Sequence, residues 1–149
     1  MTVYHFCCGH DMRGIRSQGI TEGQIVGERS YREKRRSKWQ NLFIPGWQWV
    51  TLDPDRERQS WATNYMIKID RLEYRWTVEI PEKEEDSLYD REGLSKLYPG
   101  TEELFDGWAG SENWRVFRGK IPKYWLTKLE MWNKKSGEWV EVPFRKVDR

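Results

Sequence analysis

Three groups of residues in this sequence are of types and spacings that could do chemistry. The first is Glu112, which stands just before the alternating run Trp114-Arg115-Val116-Phe117-Arg118, a run closed by Gly119 and Pro122. Bulky alternation forms a strand, and Gly and Pro stop it. A carboxylate at a strand mouth is a candidate catalytic group, although any exposed strand can begin with Glu. The second group is His5, inside Val3-Tyr4-His5-Phe6, with Cys7, Cys8, His10 and Asp11 close behind. Successive strand side chains point to opposite faces and the chain offers no second ligand pair, so a metal site is disfavoured. Vicinal cysteines rarely bridge, which leaves buried, inert thiols and no disulfide framework. The third group is the basic run Arg29, Arg32, Lys34, Arg35, Arg36 and Lys38, offset only by Glu28 and Glu33. It reads either as a solvated loop or as a cationic flap over phosphates or an acidic partner.

The elements that must position these groups follow from pattern. Val3 to Cys7 is a short strand. From His10 to Gln18, Met12 and Ile15 share a helical face, and Gly19 sits where a helix-ending glycine belongs. Trp49-Val50-Thr51-Leu52 is a compact apolar strand. Asp53 and Pro54 then suit a helix start, with Arg58, Trp61, Ala62 and Tyr65 at helical spacing. Tyr74, Trp76, Val78 and Ile80 alternate with Arg75, Thr77 and Glu79, the period of a half-buried strand that ends at Pro81. The acidic segment Glu82 to Asp86 reads as a solvated linker, and Leu88 to Gly110 as one short helix and a loop. Thr127 to Trp132 and Trp139 to Val142 form a hairpin about the turn Asn133-Lys134-Lys135-Ser136-Gly137.

The bulk numbers bound the function. At 149 residues the chain fits one domain over 1–149 with one real core. Hydrophobic residues make up only 37%, so ten Trp, seven Tyr and five Phe must supply the buried area. A net charge of +2 gives no global field to hold nucleic acid or an anionic membrane. No stretch is long and apolar enough to span a bilayer and none reads as a signal peptide, so a cytoplasmic protein is expected, in a host cytoplasm if phage-encoded.

In order, the four stretches Val3-Tyr4-His5-Phe6, Trp49-Val50-Thr51-Leu52-Asp53-Pro54, Tyr74-Arg75-Trp76-Thr77-Val78-Glu79-Ile80-Pro81 and Ser111-Glu112-Asn113-Trp114 through Ile121-Pro122 resemble the core of small stand-alone ADP-ribosyltransferases. The most specific match is the Glu-led strand running into Gly119-Lys120-Ile121-Pro122 and a further strand. The resemblance implies an α+β fold, an ADP-ribosyltransferase-like split antiparallel β-sheet core with a few short helices. It implies NAD as substrate and Glu112 as the catalytic carboxylate, stabilising positive charge that develops on the ribose. It also implies cofactor contacts from Tyr4, His5 and Phe6 of the first strand, from Thr51, and from an aromatic, Trp61 or Tyr65, against the nicotinamide. Alone, His5 reads as a core histidine with a backbone partner and Trp61 as core. The basic loop, through Arg29, Arg32, Arg35 and Arg36, becomes a candidate contact for a macromolecular acceptor, protein or nucleic acid.

Two positions depart from the family pattern. Gly110 stands where many members carry a second acid that activates an arginine acceptor, and Cys7-Cys8 stand where hydroxyl residues are common. The implied function is mono-ADP-ribosyl transfer to a macromolecule, as by a phage or bacterial effector. The alternative is a catalytically silent module of the same fold that grips and inhibits a host protein or nucleic-acid complex. A single-strand nucleic-acid binder is a third reading, disfavoured by the near-neutral charge.

Overall fold

The computed structural model of the chain describes residues 1–27, 42–59, 63–64, 69–70, 72–105 and 110–144. In chain order come β1 (Thr2–Cys7), α1 (Met12–Gln18), β2 (Gln24–Gly27), β3 (Leu42–Pro45), β4 (Trp47–Thr51), β5 (Thr63–Asn64), β6 (Ile69–Asp70) and β7 (Tyr74–Glu79). They continue with β8 (Leu88–Tyr89), α2 (Arg91–Leu97), β9 (Trp114–Arg118), β10 (Leu126–Asn133) and β11 (Glu138–Glu141), joined in places by short 3-10 turns. Among the described residues no helix is long and apolar enough to cross a membrane.

Seven strands form one sheet in the order β11-β10-β7-β1-β4-β9-β8, with antiparallel neighbours. Strand alternation divides its side chains between two cores. Val3 and Cys7 of β1 join Val50, Trp76, Val78, Phe117 and Leu129 on the face that α1 covers with Met12 and Ile15. Phe6 joins Trp47, Trp114 and Val116 on the other face, beneath Ile25, Leu94 and Phe105. Aromatics carry this burial as composition demands: Trp76 is 0% exposed, and Trp47 and Trp114 are 2%. The fold is therefore α+β, with a largely antiparallel sheet and few helices.

Several expected elements are present. α1 ends at Gly19, whose φ of 85° is the left-handed backbone that glycine tolerates. α2 starts at Asp90, whose carboxylate accepts the Gly93 N–H at 2.8 Å. The β10–β11 hairpin turns at Gly137, φ 68°. The expected solvated segment after Pro81 is a 3-10 stretch, Glu82–Ser87. β7 is half-buried as its alternation implies, with Trp76 and Val78 inside and Glu79 exposed, and Arg75 on its second face makes a salt bridge with Glu130, 2.7 Å long, with side chains only 12% and 9% exposed.

The helix expected after Pro54 is corrected. Asp53 Oδ1 accepts the Asp55 N–H at 2.9 Å and Asp55 Oδ1 accepts that of Glu57 at 3.0 Å, so the chain makes aspartate turns into a 3-10 turn over Arg56–Arg58. Gln59, fully buried, then donates to the Asp55 carbonyl at 3.1 Å and accepts the Trp114 indole N–H at 2.6 Å, which turns the chain back toward the sheet. Beyond it Thr63–Asn64 is extended and pairs with Ile69–Asp70. The β2–β3 pairing, Gln24↔Pro45 to Gly27↔Leu42, was not expected.

Candidate functional site

β1 and β4 are neighbours in the sheet, but the register between them is narrow. β1 pairs β7 at six positions, from Thr2↔Glu79 to Cys7↔Tyr74, but among the described residues it pairs β4 at Tyr4↔Thr51 alone. The Met1 carbonyl accepts the Ile80 N–H, so alternation aims the backbone of Tyr4 and Phe6 at the β4 side. Tyr4 finds Thr51 there. Phe6 would next meet Trp49, but the Trp49 carbonyl takes a different partner, the ring of His5 at 2.8 Å.

That bond defines the state of His5. A carbonyl can only accept, so Nδ1 carries the proton and Nε2 of the neutral ring keeps a lone pair. Burial lowers the His5 pKa, outweighing the Trp49 bond and the negative charge of Asp11, both of which raise it. The imidazole is thus held neutral as a hydrogen-bond acceptor or base. It lines a cleft of about 280 Å³ with Asp11, Gln18, Thr21, Glu22 and Gln48.

The opposite wall of the cleft is the segment Gly19 to Gly23, which leaves α1 and carries the chain from one core, at Ile20, to the other, at Ile25. The Gly19 and Ile20 N–H groups donate to the Ile15 and Ile121 carbonyls, both at 2.9 Å. Gly23 donates to Gln48 Oε1 at 2.7 Å, and Gln48 Nε2 donates to the Gly119 carbonyl at 3.0 Å. A Cβ on Gly23 would overlap the Trp47 carbonyl and Gln48. Gln48 therefore ties this wall to the sheet from a position that is 0% exposed.

Glu112 lies elsewhere on the same sheet. It sits exposed in a 3-10 turn, Ser111–Asn113, that Gly110 opens with φ 84°. The Leu52 N–H donates to the Asn113 carbonyl at 2.9 Å, which fastens the turn to the end of β4. Glu112 lines a second cavity, about 430 Å³, with Arg91, Phe105, Trp114 and Arg115. The Arg115 guanidinium donates to the Glu112 carbonyl at 2.8 Å.

The register relates the two places. Tyr4, Thr51 and Trp114 form one cross-strand row. His5 is one residue along β1 from it, and Glu112 lies two residues before it in the 3-10 turn that leads into β9. Nothing matches this chain among protein-family models, curated proteins or solved structures. Its function has to come from this geometry.

The candidate residues distribute as follows. His5 and Glu112 line separate cavities, and Tyr4, Phe6 and Thr51 line neither. Phe6 packs against Trp139 at 6.0 Å between ring centroids, Tyr4 lies under Arg75 at 5.8 Å, and Thr51 Oγ1 accepts the Asp53 N–H at 3.1 Å. Trp61 and Tyr65, and Arg29, Arg32, Arg35 and Arg36, lie outside the described residues. Among the described residues no group of three or more metal-ligating side chains comes together. Burial pushes the Cys7 thiol pKa up, away from thiolate chemistry. Sequence reasoning missed Gln48, Glu22 and Asp11 as cleft residues. The available signal was Gln48 itself, an amide between Trp47 and Trp49 in an otherwise apolar strand.

Proposed function

We propose that this chain is a mono-ADP-ribosyltransferase that uses NAD to modify a macromolecular acceptor. The observation that carries the reading is that the four stretches of the resemblance form β7, β1, β4 and β9, four consecutive strands of one sheet. The two middle strands, β1 and β4, share only the Tyr4↔Thr51 register among the described residues, beside His5. Beside those strands, His5 Nε2 can accept from a ribose hydroxyl. Glu112 supplies the carboxylate at the mouth of β9. When the bond between nicotinamide and ribose breaks, its electron pair leaves with nicotinamide and positive charge develops on the ribose. A fixed carboxylate stabilises that state more than the ground state. The acceptor nucleophile then bonds to the same carbon and loses its proton to solvent. Gly110, in left-handed backbone two positions before Glu112, gives no second acid, so the reading does not specify arginine as acceptor.

The separate cavities of His5 and Glu112 favour a second reading, a silent interaction module of the same architecture. Titration calorimetry with NAD, then incubation with labelled NAD and a cell lysate, decides between them. Transfer of label that falls about a hundredfold or more in Glu112→Gln, with NAD affinity and thermal midpoint kept, supports the transferase. Full activity in that variant removes Glu112 from the chemistry, and absence of NAD binding leaves the interaction module.

A further inference from the structure

The side-chain row Cys7, Tyr74, Met131, Val140 crosses from the middle of the sheet to its open edge. It starts inside the core that α1 covers and ends uncovered: Cys7 is 3% exposed, Met131 37% and Val140 44%. One exposed apolar side chain is ordinary, but these two are a cross-strand pair that closes an apolar row. β11 carries the last member and, among the described residues, pairs β10 alone. Its free side follows from the ladder. The Val142 N–H donates to the Leu129 carbonyl at 2.8 Å, so Val142, Val140 and Glu138 turn their backbone toward β10, and Trp139 and Glu141 turn theirs outward. Such an edge is a template for another strand unless its side chains forbid the pairing.

We infer that β11 pairs antiparallel with β11 of a second copy of this chain, about a two-fold axis at Val140. In that register Trp139 of each copy exchanges backbone hydrogen bonds with Glu141 of the other. Val140 faces Val140, with Met131 behind it on either side, so the apolar row runs on from one sheet into the next. Glu138 comes opposite Val142 and Glu141 opposite Trp139, so no carboxylate faces another. The neighbouring registers are worse. A slip of two residues one way sets Glu141 against Glu141 and brings Pro143, which has no N–H to donate, opposite Trp139. The slip the other way sets Glu138 against Val140 and brings Gly137, in the hairpin turn with φ 68°, opposite Glu141. A slip of one turns Val140 and Met131 to opposite faces. A second copy meets the register by symmetry, because the same patch supplies both sides. Pairing along one short edge buries less than about 1,200 Å², so the dimer is a weak one. Neither His5 nor Glu112 takes part, and the inference stands apart from the transferase reading.

Sedimentation velocity of the full chain from about 10 μM to about 1 mM reads the association, and the mean mass is expected to rise from monomer toward dimer across that range. Val140→Lys sets two ammonium groups against each other at the axis and should raise the dissociation constant about tenfold or more. Val140→Cys reads the register: directly opposite residues lie within about 5.5 Å, so mild oxidation should link two chains. Glu138→Cys should link far less, since the two copies of that position lie about 13 Å apart along the strands. The parent protein gives the background from its own cysteines, Cys7 buried and Cys8 half-buried. A chain that stays monomeric to about 1 mM overturns the inference and leaves the edge to a strand from a different protein. So does a dimer that the folded Val140→Lys variant leaves unchanged, or linkage at position 140 no greater than at 138 or in the parent. If the lysine variant does not fold, the two cysteine variants decide alone.

Discussion

Replacing Gln48 by Met should loosen the wall opposite His5 at a cost that can be worked from its contacts. Gln48 is fully buried, accepts from Gly23 N–H at 2.7 Å and donates to the Gly119 carbonyl at 3.0 Å. Methionine keeps the length and volume but offers neither partner. An orphaned buried backbone group costs about 1–3 kcal/mol, and both glycines are half-buried, so water relieves part of it and about 2–3 kcal/mol in total is expected. For a domain of this size that lowers the thermal midpoint by about 4–12 °C. Gln48→Glu gives an internal control. Its carboxylate can still accept from Gly23, yet it sets a buried anion against the Gly119 carbonyl, so burial raises its folded pKa above the unfolded carboxylate value. Protonated, it again donates to Gly119. The Glu variant should therefore be most stable, relative to the parent, below pH about 4.3 and lose that stability as pH rises through the folded pKa. Circular-dichroism melts across pH read both effects. A Met variant within about 1 °C of the parent, or a Glu variant whose deficit is independent of pH, would refute the role given to Gln48.

The lowered pKa of His5 makes the fold sensitive to mild acid: below about pH 6.5 the unfolded chain binds a proton that the folded one refuses, so stability falls with pH until the folded pKa is passed. The slope is at most about 1.4 kcal/mol per pH unit, and denaturant titrations of His5→Gln should lack that component. Glu130→Ala should cost about 1–3 kcal/mol, because it removes the carboxylate partner of a largely buried guanidinium that keeps only the Pro54 carbonyl, at 2.6 Å, and the Trp139 ring. Arg75→Met combined with Glu130→Met should recover most of that loss, and a double variant as unstable as the sum of the singles would contradict it. Gly19→Ala should destabilise far more than Gly137→Ala, although both have positive φ, because a Cβ at Gly19 overlaps the Ile121 carbonyl while one at Gly137 meets open space. Equal melting points for these two variants would contradict that contrast.

How much of this was legible in the sequence depends on how local the cause was. The strand at Tyr74 to Ile80, the helix stop at Gly19 and the hairpin at Gly137 each follow from a few adjacent residues, and each is found where the pattern puts it. The helix expected after Asp53-Pro54 is absent at the described residues, where two aspartate turns and a buried glutamine whose partner, Trp114, lies 55 residues away outcompete helical spacing. Arg75 gave no sign of its burial, since its partner Glu130 is 55 residues on. β2 and β3 are four residues each on either side of a charged run, too short for alternation to register. At His5 the two readings are compatible: the ring has a backbone partner, as a core histidine does, and still lines a cleft. The cleft itself was invisible because α1, the Gly19 to Gly23 segment, β1 and β4 each supply one wall.

The narrow pairing between β1 and β4 explains why the cleft lies where it does. A paired sheet satisfies its own backbone and leaves a ligand nothing to hold. Here the row stops at Tyr4↔Thr51, and what replaces the next ladder bonds is specific: His5 on the Trp49 carbonyl, and the Gly46 and Trp47 N–H groups on the Gly23 carbonyl. These substitutes come from a side chain and from a loop, so they fill the gap less completely than a strand would. The space left over is the cleft. Extending the regular pairing would cost the Trp49 carbonyl its histidine and return His5 to an ordinary core position. The same few hydrogen bonds therefore supplement the narrow pairing of β1 with β4, set the tautomer of His5 and keep the cleft beside it.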